Sequence, residues 1–303
     1  MNSKADTLTW LPAEEGGPGW FRRVDRFQLD GVEFRCSFER GSEPDRFYVR
    51  KHRRQVESFL SVLDRFPDAN VVELGIMEGG STALAALAGK PRKLVALELE
   101  SERVGALDEL IAARGLDRCV RPYYGVDQSD RERVGAIVAE EFGSEPLDLV
   151  VDDASHHLEP TRASFETLFP RLRDGGLYVI EDWRWQLRRA SAVAEHMSGP
   201  DSPAREKLTR RLRRSGSARA DDGPQRGKPL LPALVIELML AKAESDDFVA
   251  EVTVGPWWVG VQRGGGELDA ASFRVTDLYT DRFGLLPSPS GSAASASGGT
   301  SAP

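Results

Sequence analysis

Cysteine is scarce, with Cys36 and Cys119 the only two in 303 residues. They lie far apart and share no CxxC or Cys/His spacing, which argues against a disulfide framework and against a structural zinc site. A reducing, cytoplasmic setting is the simplest expectation. Long apolar runs are missing too: Leu234 to Ala241 is about half of the roughly 18 residues that a membrane span needs. The opening MNSKADTLTWLPAEEGG has no apolar signal-peptide core, so neither a membrane nor export is expected. Nor is there an excess of positive charge. The net charge of −8 argues against a nucleic-acid partner, which would require a concentrated basic face. No internal repeat is visible.

What the sequence does contain is alternation. Residues 1–50 read as an N-terminal extension with a β-hairpin, because FRRVDRFQLDGVEFRCSF alternates apolar and polar around Asp30-Gly31. From Val49 to Phe66 the period lengthens, and Val56, Phe59, Leu60 and Leu63 fall on one helical stripe. Five short apolar runs follow, at 70–75, 93–99, 120–124, 147–151 and 176–180. Between them lie segments of helical pattern at 81–88, 101–114, 130–142 and 160–172. Strands without polar alternation, separated by helices, imply an α/β fold with a doubly wound, mostly parallel sheet covered on both faces. The main domain is read as 51–286, closing with a helix near 230–240 and strands at 248–254 and 257–262. An arginine-rich insertion at 183–228 is read either as a solvated insertion or as a lid, and 287–303 as a disordered tail.

In such a sheet ligands bind at the carboxyl ends of the strands. The first end reads Glu73-Leu74-Gly75-Ile76-Met77-Glu78-Gly79-Gly80-Ser81. Its glycines permit a sharp turn and close backbone approach, and the helix after it offers free N–H groups. The spacing is Gly-x-x-x-Gly-Gly, which suits a carboxylate-bearing ligand such as S-adenosylmethionine better than a pyrophosphate. Glu98, at the second end, is placed to accept from two ribose hydroxyls. Asp127 in GVDQSD could accept from an adenine amino group or serve a helix start, where Ser129 and Asp130 are good caps.

The fourth and fifth strand ends carry Asp152-Asp153 and Glu181-Asp182. Neighbouring carboxylates repel unless a cation neutralises them. Oxygen donors of this kind favour Mg²⁺, with Mn²⁺ close behind. His156 lies three residues after Asp153 and suits a general base, Asp152 is placed at the donor or as a support for the loop, and His157 is read as a surface residue.

Together, ELGIMEGGS, VALE, GVDQSD, LDLVVDDASH and SFETLFPRLRDGGLYVIED resemble the motifs of macrocin-type sugar O-methyltransferases, a metal-dependent group within the Rossmann-like class I methyltransferases. The resemblance spans about 70–182. It implies Asp153, Glu181 and Asp182 as metal ligands and His156 as base. Glu73, Gly75, Gly79 and Ser81 would line the donor's amino-acid end, Glu98 its ribose, and Asp127 with Gln128 its adenine side. The implied activity is methyl transfer to a hydroxyl of a sugar or glycosylated natural product, and a homo-oligomer is a family-based expectation. The chain departs from the family pattern at Ala154, where glycine is usual, near Pro160, where a second histidine is common, and after the IED, where it has WRWQLRRA. Two other readings remain: a non-catalytic protein that binds S-adenosylmethionine, and an NAD-dependent oxidoreductase on the same fold class.

Overall fold

The computed structural model describes residues 7–15, 23–187 and 230–281. Most of the arginine-rich insertion and all of the tail at 287–303 lie outside the described residues. Among the described residues there are two sheets. The first has the order β1-β2-β3-β4, with β1 at Thr9–Glu15, β2 at Arg23–Leu29, β3 at Val32–Cys36 and β4 at Arg46–Val49. Strands β2 and β3 pair antiparallel across Asp30 and Gly31, whose φ angles of 49° and 80° are the left-handed pair a tight hairpin turn demands. Strand β4 then returns parallel to β3. The aromatic rings of Phe27, Phe34 and Phe47 stack in series on one face, at 4.9 and 6.0 Å between centroids.

Helix α1 (Arg53–Asp64) buries the stripe Val56, Phe59, Leu60 and Leu63, and Gln55 Oε1 accepts from the His52 N–H at its start. The second sheet then alternates with helices. Its strands are β5 (Asn70–Leu74), β6 (Lys93–Glu98), β7 (Val120–Tyr124), β8 (Leu147–Asp152), β9 (Leu172–Glu181), β10 (Val249–Val254) and β11 (Trp258–Arg263). Its helices are α2 (Gly80–Leu84), α3 (Gly105–Ala113), α4 (Arg131–Phe142), α5 (Leu158–Leu168) and α6 (Pro232–Glu244). The sheet order is β10-β11-β9-β8-β5-β6-β7. Five strands from β7 to β9 are parallel, and β11 runs antiparallel to both β9 and β10. The chain thus winds outward from β5 through β6 to β7, then returns to β8 on the other side.

Alternate residues of the central strands enter opposite cores. Val71, Val151 and Val179 face the core shared with the N-terminal sheet, α1, α2 and α3. Val72, Val150, Tyr178 and Ile180 face the core shared with α4, α5 and α6. This parity decides where the acids at the strand ends go. Glu73, Asp153 and Glu181 each lie two residues beyond a valine of the first set, and Asp152 lies two beyond Val150. The N-terminal sheet locks onto the first face at Gly80, where an added Cβ would sit 2.2 Å from the Tyr48 carbonyl oxygen. No helix among the described residues is long and apolar enough to cross a membrane.

Candidate functional site

The crevice lies at the carboxyl ends of β5 and β8, where the winding reverses. Gly75 turns there with φ 98°, its N–H donating to the Leu97 carbonyl at 2.8 Å, while the Asp153 N–H donates to the Leu74 carbonyl at 2.9 Å. The two loops press so closely that a Cβ on Gly75 would stand 2.6 Å from the Asp153 carbonyl oxygen. Only glycine meets both conditions. Glu98 Oε2 accepts from the N–H groups of Ile76 and Met77 at 2.9 and 2.7 Å, and Oε1 from the Glu100 N–H at 3.0 Å. The residue read as a ribose acceptor therefore also holds the glycine loop in shape.

Glu73 is buried beneath this loop. Its Oε2 accepts from Thr82 Oγ1 at 2.6 Å, but Oε1 is buried without a hydrogen bond. Burial pushes the carboxyl up to about 7, with the Ser81 and Thr82 hydroxyls and the Lys51 charge opposing. A buried acceptor left without a donor is costly. It fits a ligand ammonium, as on the amino-acid end of S-adenosylmethionine.

On the adenine side the structure departs from the sequence reading. Asp127 is exposed, and its Oδ1 accepts from the N–H and hydroxyl of Ser129 at 2.8 and 2.7 Å, closing the turn before α4. Gln128, read as a donor contact, and Asp152, read as a donor contact or a support for the loop, turn their side chains into the protein. Gln128 Nε2 donates to both Asp152 oxygens at 3.1 Å and to Ser164 Oγ at 3.0 Å, while Gln128 Oε1 accepts from the Ser155 N–H at 2.9 Å. Ser164 Oγ and Tyr178 Oη each donate to Asp152 Oδ2 at 2.9 Å. Strand parity is the reason: Asp152 points into the α4/α5 core, where a carboxylate is tolerated only with its lone pairs filled. Burial raises the Asp152 carboxyl and the Ser164 and Tyr178 hydroxyls act against it.

Asp153 and Glu181 point to the other face and converge, as neighbouring strand ends should. Between them sits Lys51, a residue the sequence reading did not select. Its Nζ donates to Asp153 Oδ2 at 2.8 Å and makes a short contact to Glu181 Oε2. The lysine is 3 % exposed, so its charge is balanced inside the protein and not by water. Burial works against the ammonium, but the two carboxylates overcome it and hold Lys51 protonated. Burial and the Asp153 charge push Glu181 upward, with Lys51 opposing. These oxygen donors suit a hard divalent ion by their chemistry. Yet among the described residues no three His, Cys, Asp or Glu side chains form a cluster that could hold a metal. The cation at this position is the lysine's own.

His156 stands beside this cluster, with Nε2 3.8 Å from Asp153 Oδ1. It and Asp182 have positive φ angles, 55° and 47°, as does Met77 at 50°, so three of the six positive-φ non-glycine residues among the described residues lie at these strand ends. Such backbone conformations cluster where side-chain placement matters more than local comfort. The stretch after β9 folds back over the histidines. Trp185 Nε1 donates to the His156 carbonyl at 3.3 Å, and its ring centroid lies 6.4 and 6.3 Å from those of His156 and His157. Gln186 Nε2 lies 3.1 Å from His157 Nδ1, so His157 is a half-buried supporting residue and not a bare surface one.

A seven-stranded sheet of this order, with one antiparallel strand and a glycine turn at the reversal, defines the Rossmann-like class I methyltransferase fold. Residues 72–183 match the family described as a methyltransferase domain. Parts of the chain are similar to curated sugar O-methyltransferases. One is the 8-demethyl-8-alpha-L-rhamnosyl tetracenomycin-C 2'-O-methyltransferase of Streptomyces olivaceus, 37% identical over 100 residues, or 26% of this chain and 26% of that protein. Another is the mycinamicin VI 2''-O-methyltransferase of Micromonospora griseorubida, 52% identical over 56 residues, or 18% of this chain and 13% of that protein. The chain thus spans about a quarter or less of the length of these relatives. Among solved structures, the MycE methyltransferase of the mycinamycin pathway, in complex with Mg, SAH and mycinamycin VI, aligns with 23% identity over 67% of this chain and 47% of that one, at a TM-score of 0.43.

Proposed function

We propose that the protein is an S-adenosylmethionine-dependent O-methyltransferase acting on a hydroxyl of a sugar or glycosylated small molecule, with Mg²⁺ or Mn²⁺ as its ion. The observation that carries the reading is the buried Glu73 carboxyl beneath the glycine turn, with Oε1 left without a hydrogen bond and the Asp153 charge near enough to act on it. The names of the matched relatives support the sugar class of the acceptor.

Because the sulfonium is an activated leaving group, the protein's task is alignment and acceptor deprotonation. Glu73 holds the donor's ammonium, and Glu98 supports the loop and the ribose. His156 takes the acceptor proton as the oxygen attacks the methyl carbon. Asp153 Oδ1 lies 3.8 Å from His156 Nε2. Of the three acids the sequence assigns to a divalent ion, Asp153 and Glu181 carry the Lys51 ammonium between them in this arrangement.

The test is transfer of labelled methyl from S-adenosylmethionine to a panel of rhamnosides and deoxysugar glycosides, with Mg²⁺ and with a chelator. Labelled glycoside that needs the ion is the expected result. Binding of NAD in equilibrium dialysis, with none of S-adenosylmethionine, would overturn the reading.

A further inference from the structure

Glu73 suits the ammonium of the donor's amino-acid end, but that end also carries a carboxylate. A carboxylate brought close to Glu73 and Asp153 needs a cation of its own. Two of the basic residues that follow β4 are already engaged. Lys51 is held by Asp153 and Glu181, and Arg53 donates to Glu57 Oε1 at 2.8 Å with its guanidinium over the Trp10 ring. Arg50 is not. It is half-buried and directly follows the strand whose Tyr48 carbonyl and Val49 side chain press on Gly80, at the end of the glycine turn. Its guanidinium carbon lies 5.3 Å from the centre of the Phe38 ring, and its Nε is buried without a hydrogen bond. Among the described residues none of its nitrogens donates to an acceptor or pairs with a carboxylate. The acidic charges that act on it are Glu78, on the glycine turn, and Asp153, on the facing loop. Both are committed elsewhere: Glu78 Oε2 accepts from the Gly41 N–H at 2.9 Å, and Asp153 Oδ2 accepts from Lys51. A guanidinium withdrawn from water without a partner is costly, and this one lies within range of charges on both loops that wall the crevice.

We propose that Arg50 binds the carboxylate of the methyl donor and completes, with Glu73, a two-point grip on the donor's amino-acid end. This rests on the donor site proposed at Glu73. A guanidinium presents parallel N–H donors that match the two oxygens of a carboxylate, and such charge-assisted pairs are stronger than neutral ones. The grip joins the N-terminal sheet to the donor: residue 50 lies outside the 72–183 stretch that matches the methyltransferase domain, so the extension contributes a binding residue to the site. Because methyl transfer leaves the carboxylate unchanged, the product S-adenosylhomocysteine reports the contact as well as the donor does.

The test is isothermal titration calorimetry with S-adenosylhomocysteine and with its decarboxylated analogue, which keeps the amine, in wild type and R50M. Wild type is expected to bind S-adenosylhomocysteine about tenfold more tightly than the analogue, and R50M to lose about tenfold toward S-adenosylhomocysteine alone, as for the loss of a charge-assisted pair. An equal loss toward both ligands, or no loss toward either, overturns the proposal. Thermal unfolding without ligand reports whether R50M is folded; where it is not, R50Q is held to the same pattern. Failure of wild type to bind S-adenosylhomocysteine defeats the donor reading itself. Binding that is indifferent to the carboxylate in wild type leaves that reading standing and defeats only the role of Arg50.

Discussion

Asp152 and Asp153 are consecutive, yet the protein neutralises them by opposite means. Asp152 enters the core under α4 and α5 and is satisfied by neutral donors from Gln128, Ser164 and Tyr178. Asp153 enters the crevice and is satisfied by a full charge on Lys51, with His156 in reach. A carboxylate surrounded by fixed dipoles has nothing left to offer a ligand. One balanced by the charge of a single lysine stands beside His156. The first arrangement is structural and the second is chemical.

Three changes test that division. The largest effect is expected at His156: H156Q should lower kcat by about 10²–10⁴, the usual contribution of a positioned base, while S-adenosylhomocysteine affinity is unchanged. Unaltered turnover would move the base elsewhere. On the other face, D152N sets an amide NH₂ against the hydroxyls and amide that now donate to it. The unfolding free energy should fall by about 1–3 kcal/mol, the cost of unsatisfied buried polar groups, with kcat reduced far less than in H156Q. A collapse of kcat with unchanged stability would erase the distinction.

Glu73 stands between the two cases, with one oxygen satisfied and one not. Its carboxyl is raised from 4.5 to about 7, so the folded chain keeps this proton where the unfolded chain has lost it. The associated stability is full below 4.5 and is lost as pH rises to 7. Denaturant titrations across that window should show E73Q gaining on wild type as pH rises. A constant difference would place the ionised carboxylate in better company than its surroundings suggest.

Strand ends were the legible part of this sequence. Apolar runs separated by helices fixed β5 to β9 closely, and adjacency of β8 with β9 brought Asp153 and Glu181 together as expected from the doubly wound order. The need for a cation was legible as well, from charge alone. Its source was not, because VRKHRRQ is locally only the entry to a helix, and nothing periodic ties residue 51 to residues 153 and 181. Of the two readings of Asp152, donor contact or support for the loop, the side chain follows the second, and the choice was not legible for a related reason. Its partners lie on a helix and a strand remote in sequence, although the alternation Val150-Val151-Asp152-Asp153 already implied that the two acids face opposite ways. Strands β1 and β4 were invisible because they are short and belong to a sheet whose pairing is non-local.

The alternation of the β8 side chains has a consequence for how such a sequence can change over time. Strand β8 is held in register on both sides, Asp152 opposite Leu74 in β5 and opposite Ile180 in β9. Deleting one residue from it would exchange the two faces, sending Asp153 into the apolar core and leaving Lys51 without its carboxylate. Point substitutions along β8 are therefore judged one at a time, but length changes are judged by whether they are odd or even, and lineages should preserve the strand's parity more strictly than the identity of its valines.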